Sequence, residues 1–64
     1  MKNKTTYTPT VMKRTAKDGT ETYLPGVRSE GPDGNMLNRY IPLGMRMSKA
    51  LRVADEMVQE TKQH

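Results

Sequence analysis

The sequence predicts an α+β fold in which a three-stranded antiparallel β-sheet packs against one C-terminal α-helix. Three observations support this: short segments rich in β-branched residues, glycine-containing turn signals between them, and a final stretch without glycine or proline that has helical periodicity. A chain of 64 residues has room for one small domain. An antiparallel meander covered by a helix is the smallest arrangement that buries both apolar surfaces.

The chain is predicted to begin with an arm that lies outside the domain. Residues 1–9 (MKNKTTYTP) are polar and threonine-rich, and we interpret them as a flexible basic arm. The domain is predicted to span residues 10–61, followed by a tail at residues 62–64. Its first strand is Thr10–Thr15, and Lys17–Gly19 follows it with an Asp-Gly signal that is typical of hairpin turns.

Two further strands are predicted on either side of a second turn. The second strand is Thr20–Arg28, and we expect a bulge at residues 25–26, because proline has no N–H for the ladder and glycine inside a strand often marks a bulge. The tetrapeptide GPDG at residues 31–34 predicts a tight turn. The third strand is predicted at Met36–Leu43, where Pro42 indicates an edge position or an early end.

The helix is predicted to begin with Ser48 as its N-cap and to run over Lys49–Thr61. The apolar residues on one face of this helix are Ala50, Leu51, Ala54, Met57 and Val58. Basic residues crowd its first turns and acids follow, which is the reverse of what the helix macrodipole favours. Two explanations remain open: an anion binds at the N-terminus, or Arg52 pairs with Asp55 or Glu56 one turn further on.

Charge is segregated along the chain, which has a net charge of +4. Residues 1–17 carry five cations and no acid, and residues 35–52 carry four cations and no acid. Separate basic stretches attract polyanions, because each cation near a phosphate releases a condensed counterion. Small basic proteins also dock on acidic protein surfaces, so the charge pattern alone leaves both kinds of partner open.

The residues of an enzyme site are missing from the sequence. There is no cysteine, the one histidine is the last residue, and the glycines stand at turns without a phosphate-binding motif. We therefore predict no enzyme activity, no catalytic residue, no metal, no other cofactor and no small-molecule substrate. No apolar run approaches a membrane span or a signal peptide. We expect a cytoplasmic protein with no membrane partner, associated with the nucleoid if it binds DNA.

Two surfaces are candidates for binding: the sheet face away from the helix, and the start of the helix. The residues predicted to contact nucleic acid there are Lys13, Arg14, Tyr23, Arg28, Asn38, Arg39, Tyr40, Arg46 and Lys49. The alternative for the sheet is an ordinary solvated face, with at least one of Tyr23 and Tyr40 completing the core. Three methionines are expected to fill gaps in the core, namely Met36, Met45 and Met47.

Four motifs between Tyr23 and Val58 are similar to those of a known group of domains. They are the segment GVR at residues 26–28, the GPDG turn, YIPLG at residues 40–44 and SKALRVA at residues 48–54. With them the chain resembles the sheet-plus-helix DNA-binding domains of the plant ethylene-response-factor (APETALA) type and the related N-terminal arm-binding domains of phage and transposon tyrosine integrases. The resemblance implies a sheet that enters the DNA major groove with the helix behind it. It carries over Arg28 and Arg39 as base or phosphate contacts, with Lys13 and Arg14 contacting DNA from the first strand.

The first functional hypothesis is a small non-enzymatic domain that binds double-stranded DNA. It is either a free-standing accessory protein of a phage or mobile element, or the arm-binding N-terminus of an integrase in DNA recombination. The sheet lies in the major groove, the helix start contacts phosphates, and the arm at residues 1–9 reaches the minor groove. The alternative is a protein-binding module or inhibitor that docks on an acidic partner. RNA binding ranks third, because the sheet lacks the paired aromatic residues that stack single-stranded bases.

Overall fold

The computed structural model describes residues 4–62, which form a sheet followed by a helix. The strands are β1 (Thr6–Thr15), β2 (Glu21–Glu30) and β3 (Met36–Tyr40), paired in an antiparallel sheet of order β1-β2-β3. The helix is α1 (Met47–Lys62). The predicted α+β class, with a three-stranded antiparallel sheet against one C-terminal helix, is confirmed.

Two hairpin turns of the same design join the strands. In the first, the N–H of Gly19 donates to the carbonyl of Ala16 (3.0 Å), and the N–H of Ala16 donates to the carbonyl of Thr20 (2.8 Å). The second turn repeats this pattern over residues 31–35. In each turn an aspartate is followed by a glycine, and the glycines have φ values of 91° at Gly19 and 90° at Gly34. Residues other than glycine rarely adopt such backbone angles, which explains why glycine occupies these positions. Both predicted turns are confirmed.

β1 and β2 pair in unbroken register over all ten residues of each strand. The bulge predicted at residues 25–26 is therefore wrong. In an antiparallel ladder, the N–H and the C=O of one residue point to the same neighbouring strand. The carbonyl of Pro25 accepts a hydrogen bond from the N–H of Ile41 (2.9 Å), so the backbone of Pro25 faces β3. Because proline has no N–H, the hydrogen bond that is lost belongs to the β2–β3 pairing, and the β1–β2 pairing is unaffected.

The interruption lies in the third strand, across from this proline. β3 lies at an edge of the sheet and ends at Tyr40 rather than Leu43, in agreement with the edge position or early end that Pro42 indicated. Pro25 also cannot donate a hydrogen bond back to Ile41. The chain rejoins β2 at Met45, which exchanges two backbone hydrogen bonds with Tyr23 (2.8 and 2.9 Å). Residues 42–44 therefore loop out between two points of contact with β2.

β1 begins at Thr6, four residues before its predicted start. Residues 6–9 of the predicted arm thus belong to the sheet. Pro9 is accommodated because even-numbered residues of β1 bond to β2, as Ala16 does to Thr20 just beyond the strand, so the backbone of Pro9 faces the free edge. Residues 1–3 of the predicted arm and residues 63–64 of the predicted tail lie outside the described residues.

The helix begins earlier than predicted. The N–H of Ala50 donates to the carbonyl of Arg46 (2.9 Å), so Arg46 is the N-cap and Met47 the first helical residue. Ser48, predicted as the N-cap, lies inside the first turn. The helix ends at Lys62, one residue past the predicted end.

α1 packs on β1 and β2, and within residues 4–62 it makes no close approach to β3. Its buried stripe consists of Ala50, Ala54 and Val58, one helical turn apart. The two alanines are fully buried, and their small side chains bring the helix close to the sheet. Leu51, predicted to belong to this face, is 51% exposed, because it lies beside the stripe rather than in it. On the side of the helix, β2 contributes the buried residues Pro25 and Val27. Leu24 is also buried, but its side chain lies on the opposite face of the sheet.

Candidate nucleic-acid interface

The pleat divides the strand side chains between two faces of the sheet. Because the register is continuous, even-numbered strand residues share one face and odd-numbered residues share the other. α1 covers the odd-numbered face: Thr61 of the helix lines a cavity of about 210 Å³ together with Tyr7, Val27 and Arg39. No helix covers the even-numbered face within residues 4–62, and we call it the open face.

The open face brings together four of the nine predicted contacts, which are Arg14, Arg28, Asn38 and Tyr40. The two arginines and Asn38 are exposed. Glu30, at the end of β2, is the one acidic strand residue on this face. The open face therefore carries a net positive charge, with hydrogen-bond donors and acceptors on adjacent strands. It also carries the apolar residues Met12 and Met36, which are exposed, and Leu24, which is buried.

The structure places the other three predicted strand contacts on the opposite face. Lys13 is paired with Glu21, with 3.3 Å between Nζ and Oε2, so its charge is partly neutralised. Tyr23 is half-buried on the side of the helix, and Arg39 lines the cavity against Thr61. Arg28 and Arg39, which the sequence analysis assigned to one surface, are thus separated by the thickness of the sheet.

Arg28 is held by its neighbour on the open face. It lies directly opposite Asn38 in the β2–β3 pairing, and its Nε donates a hydrogen bond to Asn38 Oδ1 (3.2 Å). The acceptor is neutral, so the full positive charge of the guanidinium remains. Within the described part of the chain both terminal NH₂ groups of Arg28 are without a hydrogen-bond partner, and they are available to a ligand.

Tyr40 on the open face lies against the neighbouring strand. A Cβ atom on Gly26, the residue opposite, would lie 2.5 Å from Tyr40 Cδ1, so the aromatic ring lies directly over the glycine backbone. Tyr40 is half-buried in this position. At the other end of the face, the loop at residues 42–44 closes against β2, since a Cβ atom on Gly44 would lie 2.6 Å from Thr22 Oγ1.

The start of α1 forms a second cationic region. Arg46 and Lys49 are exposed there, and the first turn contains no acid. Across residues 4–62 the ion pair between Lys13 and Glu21 is the only one formed, so Arg52 is not paired with the acids one turn further along the helix. The predicted intrahelical explanation for the reversed charge pattern is therefore not what the structure shows.

Threonines that the sequence analysis left out also belong to the open face, namely Thr6, Thr8 and Thr10. Their hydroxyl groups both donate and accept hydrogen bonds. Thr6 and Thr8 were missed because residues 6–9 were assigned to the arm, whereas Thr10 was placed in the first strand but not among the contacts. The signal that could have found them is the alternation of threonine at every second position, which is the period of a strand.

Two of the methionines expected in the core are on the surface instead. Met36 is 59% exposed on the open face, and Met47 is 52% exposed at the start of the helix. Met45 is half-buried, where its backbone pairs with β2. Among residues 4–62, no cluster of three or more metal-ligating side chains occurs, and α1 is too short and polar to cross a membrane.

Comparison with protein-family models, with curated proteins and with solved structures found no match to this chain. The fold and the site therefore define only a class: a small α+β domain with an uncovered, cationic sheet face.

Proposed function

We propose that this protein is a non-enzymatic domain that binds double-stranded DNA by placing its open face in the major groove. One observation carries the proposal: Arg14 and Arg28 lie on an uncovered sheet face, and neither is paired with an acid within residues 4–62. Three strands spaced about 4.8 Å apart give a ribbon about 10 Å wide between its outer backbones, which fits a major groove about 12 Å wide.

Arg28 is the principal contact. Because Asn38 holds its Nε, the guanidinium is oriented before binding, and its two terminal NH₂ groups project as a pair. Such a pair binds two phosphate oxygens, or the O6 and N7 atoms of a guanine. Asn38 acts as the positioning residue for this contact.

The start of the helix supplies backbone contacts to the same duplex. Arg46 and Lys49 are exposed beside the free N–H groups of the first turn, and the three features together favour a phosphate. Lys13 and Arg39, on the face of the helix, contribute only to the overall positive field in this arrangement.

The chain's motifs support DNA as the nucleic acid. They resemble those of the ethylene-response-factor domains and the arm-binding domains of tyrosine integrases, in which a three-stranded sheet enters the major groove. By extension we propose a role as a phage or mobile-element accessory protein or integrase domain.

Two matched arginine variants test the open face. Arg28→Ala and Arg39→Ala remove the same charge from opposite faces of the sheet, so a nonspecific charge effect weakens binding equally in both. We expect Arg28→Ala to weaken duplex binding by about 1–3 kcal/mol and Arg39→Ala to change it by less than about 0.5 kcal/mol, measured by fluorescence anisotropy at fixed salt. Equal losses, or no binding by the unaltered protein at low salt, would overturn the proposal.

Docking on an acidic protein is the second candidate function, and one feature favours it. A cavity of about 420 Å³ at the C-terminal end of α1 is lined by Lys4, Lys62, Tyr7 and Thr61, and its lining contains no acid among residues 4–62. Substitution of both lysines by glutamate should abolish binding to an acidic partner while leaving duplex binding through Arg28 detectable. Amide shifts caused by duplex DNA that are confined to this cavity would reduce DNA binding to nonspecific attraction by its lysines.

A further inference from the structure

Met12 is an apolar residue within the open face. Its side chain is 42% exposed, and it lies directly opposite Leu24, which is 6% exposed, in the β1–β2 register. Its neighbours on the same face of β1 are Thr10 and Arg14, two residues away in each direction. Single exposed apolar side chains are common on protein surfaces, so exposure alone assigns no role to Met12.

The position of Met12 between the two arginines of the open face does distinguish it. In β1, Arg14 is two residues beyond Met12, and Thr8, the residue opposite Arg28, is four residues before it. At about 3.3 Å per residue, Met12 is about 7 Å from Arg14 and about 13 Å from the level of Arg28 along the strands. A duplex that contacts both arginines passes over Met12, so binding removes its exposed side chain from water.

The chemistry of the major groove determines what the side chain of Met12 meets there. The base edges present hydrogen-bond donors and acceptors, and the apolar group among them is the C5 methyl group of thymine. The thioether of methionine is only a weak acceptor. A polar base edge covered by Met12 would lose its water without gaining a hydrogen bond, which weakens binding. Burial against a thymine methyl group strengthens binding instead.

We propose that Met12 recognises the methyl group of a thymine in the major groove, so that the DNA bound by the open face contains an A·T base pair at this position. This inference rests on the proposed function and names the kind of site that the open face selects. With a rise of 3.4 Å per base pair, the thymine lies about two base pairs from the contact of Arg14 and about four from that of Arg28. The arginines supply affinity, and Met12 is a specificity-determining residue.

Replacing thymidine by deoxyuridine removes only the methyl group, so it tests the proposal with the unaltered protein. The first probe is a duplex of alternating deoxyguanosine and thymidine paired with alternating deoxycytidine and deoxyadenosine. The second probe has deoxyuridine in place of every thymidine. We expect the first duplex to bind about threefold to fourfold more tightly in fluorescence anisotropy at fixed salt, which is the effect of burying one methyl group.

The two proposals fail in different ways in this experiment. Equal affinity for the two duplexes overturns the recognition of thymine, and the proposed function still holds because the protein binds duplex DNA. If neither duplex binds at low salt, the proposed function is overturned and the role of Met12 with it.

Two matched methionine variants assign the preference to one side chain. Met12→Gln keeps the length of the side chain and replaces the thioether by a polar amide. Met36→Gln makes the same change at the other exposed methionine of the open face, which is 59% exposed and lies opposite Glu30, an acid that repels phosphate. We expect Met12→Gln to bind both duplexes with equal affinity and Met36→Gln to keep the preference for thymine.

Both substitutions are at exposed positions and leave the net charge unchanged, so each variant should keep the salt dependence of the unaltered protein. Circular dichroism checks that each variant is folded, and the comparison of the two duplexes with the unaltered protein does not depend on either variant. A preference for thymine that persists in Met12→Gln, or that is lost in Met36→Gln alone, overturns the assignment to Met12.

Discussion

At the scale of single residues, Asp18 connects a turn to the behaviour of the protein in acid. Its carboxylate accepts a hydrogen bond from the backbone N–H of Thr20 (3.0 Å) at the first hairpin turn. This backbone hydrogen bond lowers the pKa of Asp18 below its ordinary value, with a smaller contribution from the Thr20 side chain. A lowered folded-state pKa means that the carboxylate stabilises the turn at every pH above the ordinary pKa of an aspartate. That stabilisation is lost as the pH falls through the lowered folded value.

We therefore expect the first hairpin turn to remain formed until the pH falls below the ordinary pKa of an aspartate. An NMR titration that follows the carboxyl carbon of Asp18 and the amide of Thr20 should give one shared midpoint, lower than that of an unfolded aspartate. Asp18→Asn removes the titrating group and should remove this step from the amide curve of Thr20. A midpoint at or above the ordinary value would show that the hydrogen bond does not persist in solution.

Alanine variants at two glycines distinguish the loss of unfolding free energy caused by an unfavourable backbone angle from the loss caused by a steric clash. Gly34→Ala puts a side chain on a residue with φ of 90° but with open space around it, and should cost about 1 kcal/mol of unfolding free energy. Gly26→Ala places a Cβ atom 2.5 Å from the backbone oxygen of Arg39 and from the ring of Tyr40. Because the backbone cannot move aside as a side chain can, we expect a loss of about 3 kcal/mol, measured by urea unfolding. Similar losses for the two variants would mean that β3 shifts to admit the methyl group.

At the scale of elements, the turns were predictable because their determinants are local. An aspartate followed by a glycine supplies both the side-chain acceptor and the positive φ, and both sets of residues lie within five positions of sequence. The helix was predictable for the same reason, since its period is visible along the chain. The order of the elements followed from these two signals.

Strand ends were predictable only in part: Pro42 indicated the early end of β3, but strand ends also depend on residues in the neighbouring strand. Pro25 leaves β2 regular and ends β3, an effect that passes across the sheet to a residue distant in sequence. The assignment of side chains to faces failed for the same reason. Arg28 and Arg39 lie on opposite faces because Arg28 pairs with Asn38, the neighbour of Arg39, in the β2–β3 register, and a shift of one residue in that register would exchange the faces.

The close contact of α1 with the sheet gives a prediction for the helix. Ala54 is fully buried between the helix and the sheet, so Ala54→Leu should overfill the contact and cost about 1–3 kcal/mol of unfolding free energy. Leu51→Ala, on the exposed side of the same helix, should cost less than about 1 kcal/mol. Thermal unfolding of both variants measures the contrast. A larger loss at Leu51 would place its side chain in the core.

At the scale of the whole molecule, the salt dependence of duplex binding reports how many cations contact phosphate together. The proposed interface contains four, which are Arg14, Arg28, Arg46 and Lys49. Each phosphate contact contributes about −0.9 to the slope of log affinity against log salt, so four contacts predict a slope of about −3.6. Three contacts would result if Arg28 binds a guanine edge instead, and the slope would then be about −2.7.

Arg28→Ala distinguishes these two outcomes. If Arg28 contacts phosphate, the variant loses about one unit of slope and weakens binding equally to all sequences. If it binds a guanine edge, the slope of the variant equals that of the unaltered protein, and the preference for one base pair is lost. Asn38→Ala should weaken binding less than Arg28→Ala does in either case, since it releases Nε of Arg28 but leaves the charge of the guanidinium. A slope near zero for the unaltered protein would mean that the open face does not meet a phosphate backbone, and the proposal of DNA binding would fail.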